Sequence, residues 1–329
     1  MLDSKKFIAF LTLLFLISCG GGGAPSSSNP ESFTIPPKVI DGLLVDGYIR
    51  NAEIWLETSD DFSSLNELKT SSDNQGRFSL STNLSNFRIQ SSGGVDIDTG
   101  SSLEGLILIN HRIDEIESTT SSINKTWDNY IVSPLTTADF FLAESLLELS
   151  NPISPSVNQL LGLDVSLDLN ITDHVENLDN GFKFAETYEK ANQLTVLALS
   201  VSKFVNNLNA SNNNTNEVFK VILDELVSNY QKSETEINLE SAIFIEGLIE
   251  RILAKFSLTL STEVKAKIKN IYKSFIPLIQ IKPDISVSQD IFAFAINTFV
   301  DDVIAVSSDK DFQNIYCLLY TSPSPRDDR

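Results

Sequence analysis

Asp73-Asn74-Gln75-Gly76-Arg77-Phe78-Ser79-Leu80 decides how the N-terminal part of this 329-residue chain folds. Asp73, Asn74 and Gly76 carry turn chemistry, and Gly76 is free to take a positive φ. The turn delivers straight into a strand with Phe78 and Leu80 on one side. Upstream, Ala52, Ile54 and Leu56 alternate with Glu53, Trp55 and Glu57, so the first set is expected inside and the second outside. Downstream, Phe87 and Ile89 mark another short strand, and 106–109 is apolar throughout. Short strands separated by turns predict a small antiparallel β-sandwich over 39–132.

From Ser133 the period becomes helical. Ser133 before Pro134 is an N-cap followed by proline at the first helical position, opening a helix over 135–149. Ser154-Pro155 repeats the signal for a short helix ending near Gly162, and Thr172 is a further start. The longest helix is expected over 183–208, with Leu194, Leu197, Ala198, Val201, Phe204, Val205 and Leu208 on one face. Helices over 217–230, 239–256, 262–276 and 287–306 follow, with Asn238 and Ser261 as caps and Ser286 with Gln289 as a capping box. The expected fold class is α+β and multidomain, with an irregular all-α helical domain over 133–316 after the β-sandwich.

Both ends need separate treatment. Lys5 and Lys6 precede an apolar stretch, 7–17, too short to span a bilayer. Leu16-Ile17-Ser18-Cys19 then stands at the cleavage point and resembles a bacterial lipobox. That resemblance implies a signal peptide over 1–18, a diacylglycerated thiol on Cys19 and acylation of the new amino group. Gly20 after the cysteine resembles the outer-membrane sorting pattern. The Gly-, Ser- and Pro-rich run 19–38 reads as a flexible tether. At the other end, Cys317-Leu318-Leu319-Tyr320-Thr321-Ser322-Pro323-Ser324-Pro325-Arg326-Asp327 resembles a translated sequencing-library adapter, so 317–329 is expected to be an artefact.

Val45-Asp46-Gly47-Tyr48-Ile49, Asn51-Ala52 and Asp73 with Gly76, Phe78 and Leu80 together resemble a carboxypeptidase-regulatory-like (transthyretin-like) module. So do Gly93-Gly94 with Asp96, Asp98, Thr99 and Gly100, Ser133-Pro134-Leu135-Thr136-Thr137, and Leu161-Gly162-Leu163-Asp164. Such modules occur in lipoproteins and adhesin-like surface proteins of Gram-negative bacteria, so the resemblance implies architecture and location rather than chemistry. Its relatives often carry a calcium-binding loop after the strand that ends near Leu56. Here Asp60, Asp61 and Glu67 occupy that loop without the alternate acidic residues and glycine that calcium favours. Asp96 and Asp98, alternate residues on a strand, share a face. No metal site is expected, and these five acidic residues are the candidates a test would examine.

A net charge of −20 disfavours nucleic acid and anionic surfaces. Lys265, Lys269 and Lys273 form a basic strip, with Lys255, Lys267 and Lys282 near it. They would meet phosphate groups or an acidic partner, or neutralise acidic neighbours. His111 and His174 are the only histidines and lack the spacing of a zinc site. No nucleophile elbow or phosphate loop is present, while Glu144 with Glu148 and Asp301 with Asp302 read as solvent-facing pairs. No catalytic residue and no cofactor are expected. The expected function is a lipid-anchored cell-envelope protein, sorted to the outer membrane, that binds, adheres or scaffolds. Its partners would be the membrane through its lipid and a protein or glycan. Two alternatives are the N-terminal portion of a larger surface enzyme and a glycan- or solute-binding lipoprotein with a pocket lined by Trp55, Trp127 or Tyr130.

Overall fold

A computed structural model describes residues 38–58, 67–84, 86–110, 113–114, 127–149, 155–209, 215–280, 285–295 and 305. Cys19, Asp60, Asp61, His111, Lys282, Asp301 and Asp302 lie outside the described residues, as do 1–37 and 306–329.

The chain is mixed α+β. Its strands are β1 (Lys38–Leu44), β2 (Ile49–Arg50), β3 (Glu53–Glu57), β4 (Lys69–Ser71), β5 (Arg77–Thr82), β6 (Asn86–Ser92), β7 (Val95–Asp96), β8 (Ile107–Ile109), β9 (Ile113–Asp114) and β10 (Trp127–Val132). One sheet runs β10-β1-β5, a second runs β4-β3-β6-β8 with β9 added to β6, and β2 pairs with β7. The Asp73 turn carries the chain from the second sheet to the first. Asp73 Oδ1 accepts from the backbone N–H groups of Gln75 and Arg77, at 2.8 and 2.9 Å, and Gly76 adopts φ +76°.

Two expectations about the strands need correction. The first sheet is not wholly antiparallel: β1 pairs with β10 in parallel, Leu43 opposite Ile131 and Leu44 opposite Val132. The chain reaches β10 only after the whole second sheet has been laid down, and that long crossover permits the parallel direction. Secondly, Trp55 and Glu57 do not face solvent but are buried with Ile54 and Leu56. Residues directly opposite on antiparallel strands share a face, and Trp55 lies opposite Gln90 and Glu57 opposite Arg88. All four are buried. Arg88 stacks 4.9 Å from the ring centroid of Phe140, so a helix covers the face that alternation assigned to water.

That helix is α1 (Pro134–Leu149). Ser133 caps it by accepting from Thr136 N at 3.1 Å, while Thr136 Oγ1 accepts from Ser133 N at 2.9 Å. Thr137 Oγ1 accepts from Ile109 N, and Thr136 Oγ1 donates to Ile109 O, both at 2.8 Å, so the helix start is bonded to β8. Next comes α2 (Val157–Leu161), capped by Ser156 in a capping box with Gln159 rather than by Ser154. Thr172 starts no helix; a short 3-10 turn, Leu178–Asn180, precedes α3 (Phe182–Asn209). α4 (Thr215–Ser233), α5 (Ala242–Lys255), α6 (Thr262–Phe275) and α7 (Ile285–Phe294) follow. Ser241, not Asn238, caps α5; Ser261 caps α6; α7 begins at Ile285, so Ser286 lies inside it.

Between Tyr188 and Val205 α3 is buried on nearly all sides rather than along one stripe, because α1 and α4 pack on it and Tyr272 and Ile279 reach it from later in the chain. Strand and helix residues join one hydrophobic cluster, and the described residues from Lys38 onward belong to one compact unit. Among the described residues no helix is long and apolar enough to cross a membrane. Lys269 pairs with Glu250 at 2.7 Å, Lys265 with Glu250 at 3.4 Å, and Lys273 with Glu246. The basic strip of α6 therefore lies against the acidic side of α5.

Gly42 occupies the centre of β1, between β5 and β10. A methyl group there would stand 2.7 Å from Tyr130 O and would overlap the Phe78 ring. Gly42→Ala is expected to destabilise the protein by about 2–3 kcal/mol, measured by chemical denaturation.

Candidate functional site

The turn after β1, the loop around β7 and one face of α3 meet in a buried acidic space. The β1–β2 turn supplies Asp46 and Gly47, and Tyr48 follows with φ +55°, a left-handed conformation that bends the chain back into β2. Ile49 pairs with Asp96, and Ile97 N donates to Tyr48 O at 2.8 Å, so the two segments are held side by side. The β7 loop folds on its own carboxylate: Asp96 Oδ1 accepts from Asp98 N at 2.9 Å and Oδ2 from Thr99 Oγ1 at 2.7 Å. On α3, Tyr188, Asn192 and Thr195 are spaced to share a face. Tyr188 donates its hydroxyl to Asp98 Oδ2 at 3.3 Å, and Asn192 Nδ2 lies 3.4 Å from Asp46 O.

Asp46 is fully buried, and neither carboxylate oxygen has a hydrogen-bond partner. Asn192 Oδ1 is buried and unpartnered as well, and the buried Thr195 hydroxyl is the one group that favours the ionised Asp46. Elsewhere on α3 buried polar groups are satisfied: Gln193 donates to Ile279 O and Glu240 Oε1, and Ser200 accepts from Tyr272. The unpartnered Asn192 oxygen thus lies beside the acidic turn. Burial pushes Asp46 up to about 8, helped by the charge of Asp96, with the Thr195 hydroxyl easing it slightly and Asp98 adding to it. Burial likewise raises Asp96 to about 6, against its bond from Thr99, and raises Asp98. Among the described residues no lysine or arginine is among the groups acting on Asp46 or Asp98.

His174 lies next to this space, its ring centroid 6.2 Å from that of Tyr188. It is buried with Nε2 unpartnered, and burial lowers it to about 4 while Asp173 partly offsets the effect. On the outer side of the same turn, Tyr48 donates to Asp173 Oδ2 at 2.9 Å. There a half-open cleft of about 1100 Å³ is lined by Tyr48, Asp73, Gln75, Arg77, Asp173 and Asn177, among others.

The candidate residues scatter accordingly. Asp96 and Asp98 come together and are joined by Asp46, which reads in the sequence as an ordinary turn aspartate; its one signal is the apolar residues flanking Asp46-Gly47. Glu67 is partly buried near the start of β4. Trp55 is buried and Tyr130 half-buried, and neither is among the residues lining the cleft. The Trp127 backbone pairs with Ile40. Among the described residues no group of three His, Cys, Asp or Glu side chains is arranged to hold a metal ion between them. A scan of protein-family models finds no match, and searches of curated proteins and of solved structures find none either.

The site gives stability two opposed pH slopes in metal-free buffer. His174 is held below its ordinary value of 6.5, so its contribution is full above 6.5 and is lost as pH falls towards 4. Asp46 is held above its ordinary 3.8, so the preference of the fold for its neutral form is lost as pH rises towards 8. His174→Gln should flatten the acid limb of a denaturation-midpoint profile, and Asp46→Asn the limb between pH 4 and 8.

Proposed function

We propose that this chain is a lipid-anchored protein of the cell envelope, sorted to the outer membrane, that binds a partner rather than transforming one. Leu16-Ile17-Ser18-Cys19 after a short apolar segment carries the reading, because it assigns a chemical fate to Cys19 and a place to everything after it. Several acyl chains exceed the two signals that stable anchoring requires. The tether over 19–38 lets the folded part stand clear of the headgroups. We read the paired sheets as a β-sandwich module of the carboxypeptidase-regulatory-like kind, extended by a helical domain from Ser133. Support for binding comes from the half-open cleft beside Tyr48, whose mixture of aromatic, amide and charged groups suits a polar ligand such as a glycan or peptide.

The test is metabolic labelling with an alkynyl fatty acid in a Gram-negative host, followed by detergent phase partitioning and sucrose-gradient separation of the membranes. Wild-type protein should carry the label and sediment with outer membrane, whereas Cys19→Ala should lose both properties. Unlabelled wild-type protein in the soluble fraction would overturn the assignment.

A further inference from the structure

We propose that the half-open cleft beside Tyr48 takes an extended, net-basic peptide, which adds as a strand to the open edge of β5. The assignment rests on the cleft being a binding site, as proposed above, and names its ligand. β5 ends the first sheet, and among the described residues no strand lies beyond it. Leu44 N donates to Gly76 O at 2.9 Å, and the ladder continues with Gly42 opposite Phe78 and Ile40 opposite Leu80. Bonded and non-bonded pairs alternate along an antiparallel ladder. Phe78 and Leu80 therefore spend their main-chain groups on β1, while Arg77, Ser79 and Ser81 turn theirs the other way. Arg77 is satisfied by the turn, its N–H donating to Asp73 Oδ1 at 2.9 Å and its carbonyl accepting from Asp73 N at 2.8 Å. Ser79 and Ser81 offer theirs outward.

Two further features suit an added strand. The β1–β5 register runs unbroken from Lys38 opposite Thr82 to Leu43 opposite Arg77, so no bulge twists this edge away, and β5 holds neither lysine nor proline. Sheet edges normally carry such guards, and one without them is a template for pairing. Beyond Arg77 its exposed side chains are the small Ser79 and Ser81, which leave the approach open. The cleft borders this edge, since Thr70 and Ser71 of β4 line it together with Arg77 and Ser79 of β5. Charge then selects the peptide. Among the described lining residues four carboxylates, Asp41, Asp73, Asp173 and Glu176, stand against the single guanidinium of Arg77. Asp41 lies opposite Ser79 and so shares its face. Two strand spacings, about 9.5 Å, separate β1 from an added strand, and a lysine or arginine crosses that gap above Ser79 to reach Asp41. The chain's net charge of −20 steers such a peptide inward. Main-chain pairing supplies affinity, and alternate side chains supply selectivity.

The test uses the full chain in detergent with short fluorescent peptides, and reads binding by anisotropy. A peptide alternating lysine and threonine should bind saturably and more weakly as salt rises. One alternating glutamate and threonine should bind about tenfold more weakly or worse. One alternating lysine and proline keeps the charge but lacks donors for a ladder, and should lose about tenfold as well. Hydrogen exchange at the Ser79 and Ser81 amides should slow when the lysine–threonine peptide is present. Ser79→Pro removes an outward N–H and leaves the bonds to β1 in place, so binding should weaken about tenfold. Asp41→Asn should weaken it about threefold and flatten its salt dependence. Equal binding of the lysine–threonine and lysine–proline peptides, or unchanged exchange in β5, overturns strand addition even if Ser79→Pro fails to fold. A neutral oligosaccharide that binds the cleft where the lysine–threonine peptide does not overturns the peptide assignment and leaves the cleft a binding site. Failure of both probes overturns the peptide and the binding site together.

Discussion

The central strands β3 and β6 of the sheet β4-β3-β6-β8 are buried on both faces, and the architecture follows from that constraint. On one face Ile54, Leu56 and Ile89 look towards the first sheet and its Ile40, Phe78 and Leu80. On the other, Trp55, Glu57, Arg88 and Gln90 are equally hidden. A face holding a carboxylate and a guanidinium cannot be closed by an apolar layer without a large desolvation cost. Here α1 answers with an aromatic ring over Arg88 and with hydroxyl groups bonded to the β8 backbone. Helices and strands therefore share one core, and the change of periodicity at Ser133 marks a change of element within a packed body.

The same geometry explains where the polar groups of α3 end up. Between Asn192 and Ser202 α3 has no exposed residue, so its polar residues there must meet partners in the neighbouring elements. Gln193 and Ser200 do so through Ile279, Glu240 and Tyr272. Asn192 and Thr195 turn instead towards the β1–β2 turn, where Asn192 Nδ2 donates to Asp46 O and the Thr195 hydroxyl eases the buried Asp46 carboxylate. Three carboxylates, Asp46, Asp96 and Asp98, act on one another at this seam.

Much of the fold was legible because it is local. The Asp73 turn, the strand it feeds and the helix starts at Ser133 and Ser261 are set by neighbours within a few residues. What could not be read depends on contacts distant in sequence. Alternation assigned Trp55 and Glu57 to solvent because it cannot see that a helix from residue 134 onward covers them. The parallel β1–β10 ladder joins strands that enclose the entire second sheet, so no local pattern announces it. For the site, Asp96 and Asp98 were visible as alternate acidic residues, but β7 ends at Asp96 and Asp98 lies in the turn that follows rather than on the strand. Asp46 was hidden by its company, since Asp-Gly in a turn is the commonest of solvated motifs and only the packing of α3 over it makes it unusual.

Cleft and acidic space meet at Tyr48, the residue that ends the β1–β2 turn. Tyr48 lends its hydroxyl to Asp173 at the cleft wall, and its carbonyl accepts from Ile97, the residue between Asp96 and Asp98. The carboxylates behind the turn and an aromatic wall of the cleft are therefore joined through one residue, by its carbonyl on one side and its hydroxyl on the other. A rigid wall lowers the ordering cost of binding a polar ligand.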